Sequence, residues 1–426
     1  MPSPRQQAAR SVTYVVLKVR PLDCLKKIVE LQMALKDLTH VHTSKKMQAS
    51  PRTTLGDILT KYRVPLEPND VQRKTFKPYL SFRDVPRFRS IHQGQRKLLL
   101  MEMLFFLLHG QPNSVVIYAG AAPCSHIRFL EQCFPSFLFI LIDPAPWNSG
   151  FQQQFPQLGQ SECTNATYHI AHNIQVYHGY FTDDLAAYLG RLYCHEHIMF
   201  ISDIRLRTIE SSSCTLDERN THIQQDMLMQ AKWFNILNSF RLSNAWAMFK
   251  FKIPYNSPSL EYLDGDLYYQ PWAPLRSPEL RLITNKSTLR TYDTRWLEEH
   301  LLWYNETHRN CEVHERDEDV DRAFNLQPDT LYEHDICKLY LQCVKILPHN
   351  TIGQFGVQPK VYEDEYEMME EISYELGCKD MNYNCFCFDS EFSPNRQYMK
   401  KMLGHIIRRD RKYHTVTTTD TEASTV

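Results

Sequence analysis

The segment of residues 114–143, SVVIYAGAAPCSHIRFLEQCFPSFLFILID, constrains the fold of this chain more than any other. An apolar run at 115–119 predicts a strand that is buried on both faces, as strands of parallel sheets are. Small residues follow at 120–123, and a helix is predicted from about Ser125. A second apolar run at 137–141 leads to Asp143. This order of strand, turn, helix and strand is typical of a nucleotide-binding crevice in an α/β sheet.

The turn indicates which kind of ligand the crevice would hold. Small residues let the backbone approach a ligand, and an acid about 20 positions further on can accept hydrogen bonds from a ribose diol. The turn has no GxGxxG pattern, and Ala121 and Ala122 fill places where a pyrophosphate would need bare backbone. We therefore expect an adenosine ligand without phosphate, S-adenosylmethionine, in preference to a dinucleotide. An ordinary βα unit is the alternative.

Charge is distributed unevenly, although 48 basic and 49 acidic side chains nearly cancel over the 426 residues. Residues 1–78 hold 15 Lys and Arg against 6 Asp and Glu. A basic arm beside a nucleoside site suggests contact with a nucleic-acid backbone, and a solvated surface is the alternative. The 12 cysteines include no CxxC pair, so we expect a reducing compartment and no metal. No apolar run is long enough to predict a membrane-spanning helix.

Charged residues stand where three further buried strands begin or end. Asp203 follows one apolar run, and Lys250 and Lys252 lie at the end of WAMFKFK. Glu279 precedes a third run. Because ligands of doubly wound sheets bind at one edge, we expect an aspartate, a lysine and a glutamate together there. A lysine whose pKa is lowered by burial and a second cation can remove the proton of a ribose hydroxyl. Read singly, each of these residues is more often a surface charge.

Six blocks of sequence resemble one known family. The blocks are QGQRKLLLMEMLFFL, VVIYAGAAPCSHIRFL, LIDPAPWN, ISDIR, FKFKIPY and QPWAPLRSPELRLI. In this order and spacing they closely resemble the cap-specific mRNA (nucleoside-2'-O-)methyltransferases, a family that includes the poxvirus poly(A) polymerase regulatory subunit and kinetoplastid enzymes acting on the spliced-leader cap. The resemblance covers residues 90–290, and six blocks in register are far more specific than any one of them.

The resemblance implies an S-adenosylmethionine-dependent enzyme with a doubly wound, mostly parallel α/β sheet of the Rossmann-like, FtsJ-like type. It implies a catalytic tetrad of Lys97, Asp203, Lys250 and Glu279, with Lys250 as the base. Lys250 is matched in preference to Lys252 because the family's lysine stands five residues before an aromatic position. The implied cofactor pocket consists of Gln95, Tyr118, Gly120, Ala121, Ala122, Pro123, His126, Asp143, Phe181, Asp203 and Arg205.

Two positions depart from the family pattern. Cys124 stands where the family has a glycine after the proline, which narrows the methionine end of the implied pocket. Tyr255 matches one of the two aromatics that sandwich the cap guanine in the poxvirus enzyme, whereas Arg276 occupies the other position. Because a guanidinium can stack on a base, we expect Tyr255 and Arg276 to form the cap or RNA site. The target nucleotide can then differ from the first transcribed one.

The predicted organisation has four parts. Residues 1–85 form a basic N-terminal extension and residues 86–292 form the methyltransferase core. Residues 293–405 form an aromatic-rich, mainly helical extension that packs on the sheet or binds a protein partner. A basic patch and a disordered tail are predicted at 406–426.

We predict methyl transfer to the ribose 2'-hydroxyl of a cap-proximal nucleotide. The predicted partner is capped mRNA, with spliced-leader RNA as one form of it, and the predicted location is the nucleus, or the host cytoplasm and virion if the chain is viral. Two alternatives stay open: an FtsJ-like 2'-O-methyltransferase of rRNA or tRNA, and a non-catalytic RNA-binding subunit of a poly(A) polymerase. The complete tetrad favours an enzyme, because an RNA clamp has no need of Glu279 beside Lys250.

Overall fold

The computed structural model describes residues 61–66, 91–204, 215–255, 257–273, 277–305, 328–346 and 358–376. The strands are β1 (Val115–Ala119), β2 (Leu138–Ile142), β3 (Ala166–Ala171), β4 (Ile174–His178), β5 (Ile198–Ser202), β6 (Trp246–Lys252), β7 (Ser259–Leu263), β8 (Asp266–Tyr268), β9 (Glu279–Thr284) and β10 (Leu289–Asp293). The α-helices are α1 (Ile91–His109), α2 (Ile127–Cys133), α3 (Ser149–Gln154), α4 (Asp183–Leu192), α5 (Leu216–Asn238), α6 (Thr294–Tyr304), α7 (Pro328–Ile346) and α8 (Glu365–Glu375). None of these helices is long and apolar enough to cross a membrane.

An eight-stranded sheet with the order β3-β4-β2-β1-β5-β6-β9-β8 forms the centre of the described fold. The five inner strands from β4 to β6 pair in parallel, whereas β3, β9 and β8 pair antiparallel at the two sides. Every residue of β1, β5 and β9 is buried, as expected when helices cover both faces of a sheet. β7 and β10 form a separate antiparallel pair. The doubly wound, mostly parallel α/β fold class is confirmed.

The direction of winding reverses at β1. From β1 the chain moves outward to β2 and β4, and it then returns to β5 on the other side of β1. The crevice outside the carboxyl ends of two such strands is the usual ligand site of an open α/β sheet. β9 begins at this same edge because it runs antiparallel to β6, so that its first residue, Glu279, pairs with Lys252.

Two local features differ from what the sequence predicts. The sequence of residues 173–180 predicts a strand, and it forms β4, but the antiparallel pairing of β4 with β3 was not indicated by the sequence. The side chains of β3 are mostly exposed or half-buried, so this strand lacks the apolar run that marks the others. In addition, HQGQRKLLLMEMLFFLLHG predicts a helix from His92 with Gln95 and Lys97 in its first turn. This helix, α1, begins at Ile91, which places Gln95 and Lys97 in its second turn.

Side-chain caps fix the start of the two helices that follow β4 and β5. Thr182 accepts a hydrogen bond from the backbone N–H of Leu185 at the start of α4. Thr215 and Glu218 form a reciprocal capping box at the start of α5. Such caps each contribute about 1 kcal/mol to helix stability. They set where α4 and α5 begin, and these two helices pack against each other.

The C-terminal helices pack on the core. α7 lies against α1 and α8, so that it reaches the helix that carries Lys97. Tyr332 of α7 stacks on Tyr62 with 3.5 Å between ring centroids, and the Tyr62 hydroxyl donates to Asp335 over 2.6 Å. The buried aromatic side chains of this part of the chain include Trp296, Tyr332, Tyr340 and Tyr362.

Several predicted features lie outside the described residues. They are most of the basic N-terminal extension, the basic patch and tail, and the site candidates Arg205 and Arg276.

His334 gives the C-terminal helices a pH-dependent contribution to stability. Its ring lies 3.2 Å from the Glu365 carboxylate and 3.7 Å from that of Asp335. Burial acts to lower the pKa of His334, but the two neighbouring carboxylates outweigh burial and raise this pKa above its ordinary value. The stabilisation is therefore complete below about pH 6.5 and is lost as pH rises through the higher pKa of the folded state.

His334→Gln should remove this pH dependence. We expect the variant to lose about 1–3 kcal/mol of unfolding free energy at about pH 6 and less at about pH 9, as measured by urea denaturation. An equal loss at both pH values would contradict a charged His334 in the folded protein.

Candidate active site

Four charged side chains meet at the carboxyl edge of the sheet. The Lys250 ammonium on β6 lies 2.8 Å from the Asp203 carboxylate, which directly follows β5. The Lys97 ammonium on α1 lies 2.8 Å from the Glu279 carboxylate at the start of β9. All four predicted residues of the tetrad therefore come together, as two ion pairs from four separate elements. Lys252, the alternative lysine, instead lies beside the ring of Tyr255.

Arg281 joins the two ion pairs, and the sequence analysis did not find it. One Nη atom lies 2.8 Å from Asp203 and 3.6 Å from Glu279, and Nε donates to the Gln270 side-chain oxygen over 2.9 Å. Arg281 is fully buried and lies two residues after Glu279 on β9, so both side chains project from the same face of the strand. This alternation in ELRL is the signal that could have found it.

The cluster of Lys97, Asp203, Lys250, Glu279 and Arg281 contains three cations and two carboxylates. Burial acts to raise the pKa of Asp203, but Lys250, Arg281 and Lys97 together lower it to about 2. The same three cations hold the pKa of Glu279 well below its ordinary value against the effect of burial. Burial lowers the pKa of Lys97, partly offset by Glu279. With both carboxylates ionised, loss of one proton from a cation leaves the cluster neutral.

Two glutamine side chains hold the backbone and side chains around this cluster. The Gln270 amide donates to the Glu279 backbone oxygen over 2.9 Å and lies 3.2 Å from its carboxylate. Gln230 of α5 donates to the Lys250 backbone oxygen over 3.2 Å. These hydrogen bonds restrict the movement of Glu279 and Lys250.

The turn after β1 requires a glycine at its first position. Gly120 has φ +81, a conformation that side chains disfavour, and a Cβ atom there would lie 2.9 Å from the Asp203 carbonyl carbon. Its N–H donates to Ile142 at the end of β2 over 2.9 Å. The close approach of this turn to Asp203 is therefore possible only without a side chain.

Cys124 ends the same turn in an unusual conformation. It has φ +44 and its side chain is fully buried. A left-handed backbone is costly for a residue other than glycine, which agrees with the glycine that the resembling family has here. Burial raises the pKa of the Cys124 thiol, so the group is held neutral.

Asp143 follows β2 and faces this turn. Its two oxygens accept hydrogen bonds from the backbone N–H groups of Ala122 (3.0 Å) and Ala145 (2.7 Å). Burial raises the pKa of Asp143, although these two N–H groups act in the opposite direction. Each carboxylate oxygen can accept a second hydrogen bond, so the anchored group fits a ribose diol.

A hydrogen-bonded chain links the turn to α1. The Gln95 side-chain oxygen lies 3.0 Å from Nδ1 of His126 and accepts from the Ser125 hydroxyl over 3.1 Å. Nε2 of His126 lies 2.8 Å from the buried Glu102 carboxylate. The predicted pocket residues Gln95 and His126 are therefore in contact, and the polar face of α1 is fixed to the start of α2.

The other predicted pocket and RNA residues have different surroundings. Phe181 is buried against Trp233 and Phe200, at ring-centroid distances of 4.8 and 5.5 Å. Tyr255 is half-buried, and its backbone is held by the side chain of Asn220 at 2.7 and 2.8 Å. Tyr118 is buried in β1, and Ala121, Ala122 and Pro123 complete the turn. Among the described residues, no group of three His, Cys, Asp or Glu side chains could hold a metal ion.

The fold and site define a doubly wound α/β protein with a buried lysine and carboxylate cluster at the switch point of its sheet. A family model for the poly A polymerase regulatory subunit matches residues 77–349, which is more than half of the chain. The chain therefore belongs to that family.

The chain is also similar to two individual viral proteins. The chain is 27% identical over 206 residues to the cap-specific mRNA (nucleoside-2'-O-)-methyltransferase of fowlpox virus (strain NVSL). This match covers 45% of the chain and 58% of that protein, so it spans less than two thirds of the relative. Bluetongue virus VP4, described as a multifunctional RNA-capping production line, is 15% identical with a TM-score of 0.33, covering 53% of this chain and 33% of that one.

Proposed function

We propose that this protein transfers the methyl group of S-adenosylmethionine to the ribose 2'-hydroxyl of a cap-proximal nucleotide of mRNA. The single observation that carries the proposal is the buried Lys250–Asp203 pair beside the Gly120 turn. The name of the fowlpox relative supports the capped substrate. A nuclear location and a spliced-leader substrate are proposals that rest on the resemblance alone.

The residues of the crevice fit the cofactor. Asp143 would accept hydrogen bonds from its ribose, and the narrow turn at Gly120, Ala121 and Ala122 would approach its methionine end. When bound, S-adenosylmethionine supplies an electrophilic methyl group on a positively charged sulfur. Because no phosphate has to be accommodated, the alanines of the turn are compatible with it.

Lys250 would act at the hydroxyl that receives the methyl group. Lys250 would first release one proton to solvent, and its neutral amine would then accept the proton of the ribose hydroxyl as that oxygen takes the methyl group, the cofactor leaving as the neutral thioether. The ion pair with Asp203 orients the Lys250 side chain, and the ion pair with Lys97 keeps Glu279 in the same cluster. Arg281 balances both carboxylates, so that Lys250 can exchange its proton without leaving either acid unpaired. Catalysis is then mostly alignment.

A substrate panel tests this proposal. Labelled S-adenosylmethionine would be offered with one short RNA carrying a methylated guanine cap, an unmethylated cap or a bare triphosphate. We expect label only in capped RNA. Equal labelling of capped and uncapped RNA would instead favour a structured RNA, such as rRNA or tRNA, as the substrate.

The family description favours a second candidate function. A regulatory subunit of a poly A polymerase would bind RNA and hold it for a polymerase. In that case RNA affinity would persist in a protein that binds the cofactor but labels no substrate.

A further inference from the structure

Arg96, which directly precedes Lys97, points away from the candidate active site into the C-terminal helices. Successive helical residues are about 100° apart around the axis, so adjacent side chains contact different parts of the protein. Arg96 is buried, and its guanidinium makes two hydrogen bonds to the Glu333 carboxylate of α7, at 2.8 and 2.6 Å. Its third nitrogen donates to the Ser373 hydroxyl of α8 over 3.0 Å.

Glu333 also holds the segment that precedes β9. The indole N–H of Trp272 donates to Glu333 over 2.9 Å, and the Arg96 guanidinium lies over the Trp272 ring at 5.3 Å. Trp272 has φ +60, a conformation that a large side chain adopts only when its surroundings impose it. Two residues earlier, Gln270 contacts both Glu279 and Arg281.

One buried carboxylate therefore fixes two elements that meet at the active-site cluster. Through Arg96 it holds the turn of α1 that carries Lys97, and through Trp272 it holds the segment that carries Gln270. Lys97 and Gln270 converge on the same carboxylate, Glu279, at 2.8 and 3.2 Å. The two parallel hydrogen bonds between Arg96 and Glu333 fix both the distance and the relative orientation of these side chains. Apolar side chains of the same volume would give stability without fixing that orientation.

We propose that Glu333 is a positioning residue for methyl transfer, which orients Arg96 and Trp272 so that Lys97 and Gln270 reach Glu279 together. The proposal rests on the proposed function for its kinetic consequence. It assigns the C-terminal helices α7 and α8 a role in the geometry of the active site, although they contribute no residue to the cluster itself.

Glu333→Gln tests the proposal in the full chain. The amide keeps the volume but has an NH₂ donor in place of one carboxylate oxygen, so it cannot accept the two parallel guanidinium bonds. We expect kcat to fall about 10- to 100-fold while KM for RNA stays within about threefold, because the cluster is misaligned and no RNA contact is removed. Amide hydrogen exchange of residues 97–100 and of Gln270, Trp272 and Ala273 should accelerate by about tenfold.

Two further variants separate positioning from loss of fold. Arg96→Met combined with Glu333→Leu removes both buried charges, so we expect Tm within about 3 °C of the unchanged protein while kcat stays low. Glu371→Gln is the control. It breaks the ion pair between Glu371 of α8 and Lys360, which precedes this helix, and it should leave kcat within about twofold.

The proposal would be overturned if the double variant had both the kcat and the Tm of the unchanged protein. It would also be overturned if amide hydrogen exchange in Glu333→Gln equalled that of the unchanged protein. The exchange experiment needs no turnover. If the protein without substitutions transfers no methyl group, the proposed function is wrong. Amide hydrogen exchange of Glu333→Gln would still show whether Glu333 holds the cluster in place.

Discussion

Lys250→Ala should reduce kcat for methyl transfer by about 10²- to 10⁴-fold, which is the usual contribution of a positioned general base. The fold should survive, because Arg281 still contacts Asp203 after the lysine is removed. Affinity for S-adenosylhomocysteine, measured by calorimetry, and affinity for capped RNA should stay nearly unchanged, since neither depends on the proton acceptor. A loss in kcat without a loss in binding is expected only of a residue that acts in the transition state.

Lys286→Ala is the matched control for this variant. Lys286 follows β9 at the opposite edge of the sheet and pairs with Asp264 at the surface. Its removal should leave kcat within about twofold. If Lys250→Ala instead weakened RNA binding while the unchanged protein showed no methyl transfer, the polymerase-subunit function would be favoured.

Arg281→Met should be the most destabilising change at the site. It removes the fully buried cation that contacts Asp203 and lies near Glu279, which leaves two buried carboxylates with less positive charge around them. Breaking a buried ionic network in this way costs about 3–5 kcal/mol of unfolding free energy, measurable by urea denaturation. The pKa of Asp203 should rise, because Arg281 is one of the cations that hold it at about 2.

Arg290→Met removes an arginine of the same shape from a solvent-accessible pair with Asp264. We expect it to cost less than about 1 kcal/mol, since surface ion pairs are screened by water. If Arg281→Met and Arg290→Met lost the same unfolding free energy, Arg281 would not stabilise the cluster more than a surface arginine stabilises its ion pair.

The sequence predicted the inner part of the sheet well because its signals are strong. The apolar runs of β1, β5 and β6 have the length of buried strands, and the residues after them, such as Asp203, fall at a known edge. Glu279 is different, because the start of a parallel strand would lie at the opposite edge. The sequence analysis expected Glu279 at the same edge as Asp203 and Lys250 without a reason for it, and the antiparallel pairing of β9 with β6 supplies that reason.

Other parts of the site could not be predicted because they depend on contacts between distant residues. Arg96 and Glu333 are 237 positions apart, and nothing in the local sequence of either indicates a buried pair. The alternation in ELRL places Arg281 on the same face as Glu279, but it does not show that this face is covered, and both faces of β9 are buried. The catalytic roles of Lys97, Asp203, Lys250 and Glu279 stay predictions until variants are assayed.

The position of the transferred methyl group distinguishes ribose methylation near the cap from other methyl transfers to RNA. Capped RNA that has been incubated with the protein and S-adenosylmethionine would be digested to its cap fragment and nucleosides, and the methyl group would be located by mass spectrometry. We expect one added methyl group on the ribose of a cap-proximal nucleotide, and none when the Lys250→Ala variant is used. A methyl group on a base, or on nucleotides far from the cap, would contradict this expectation.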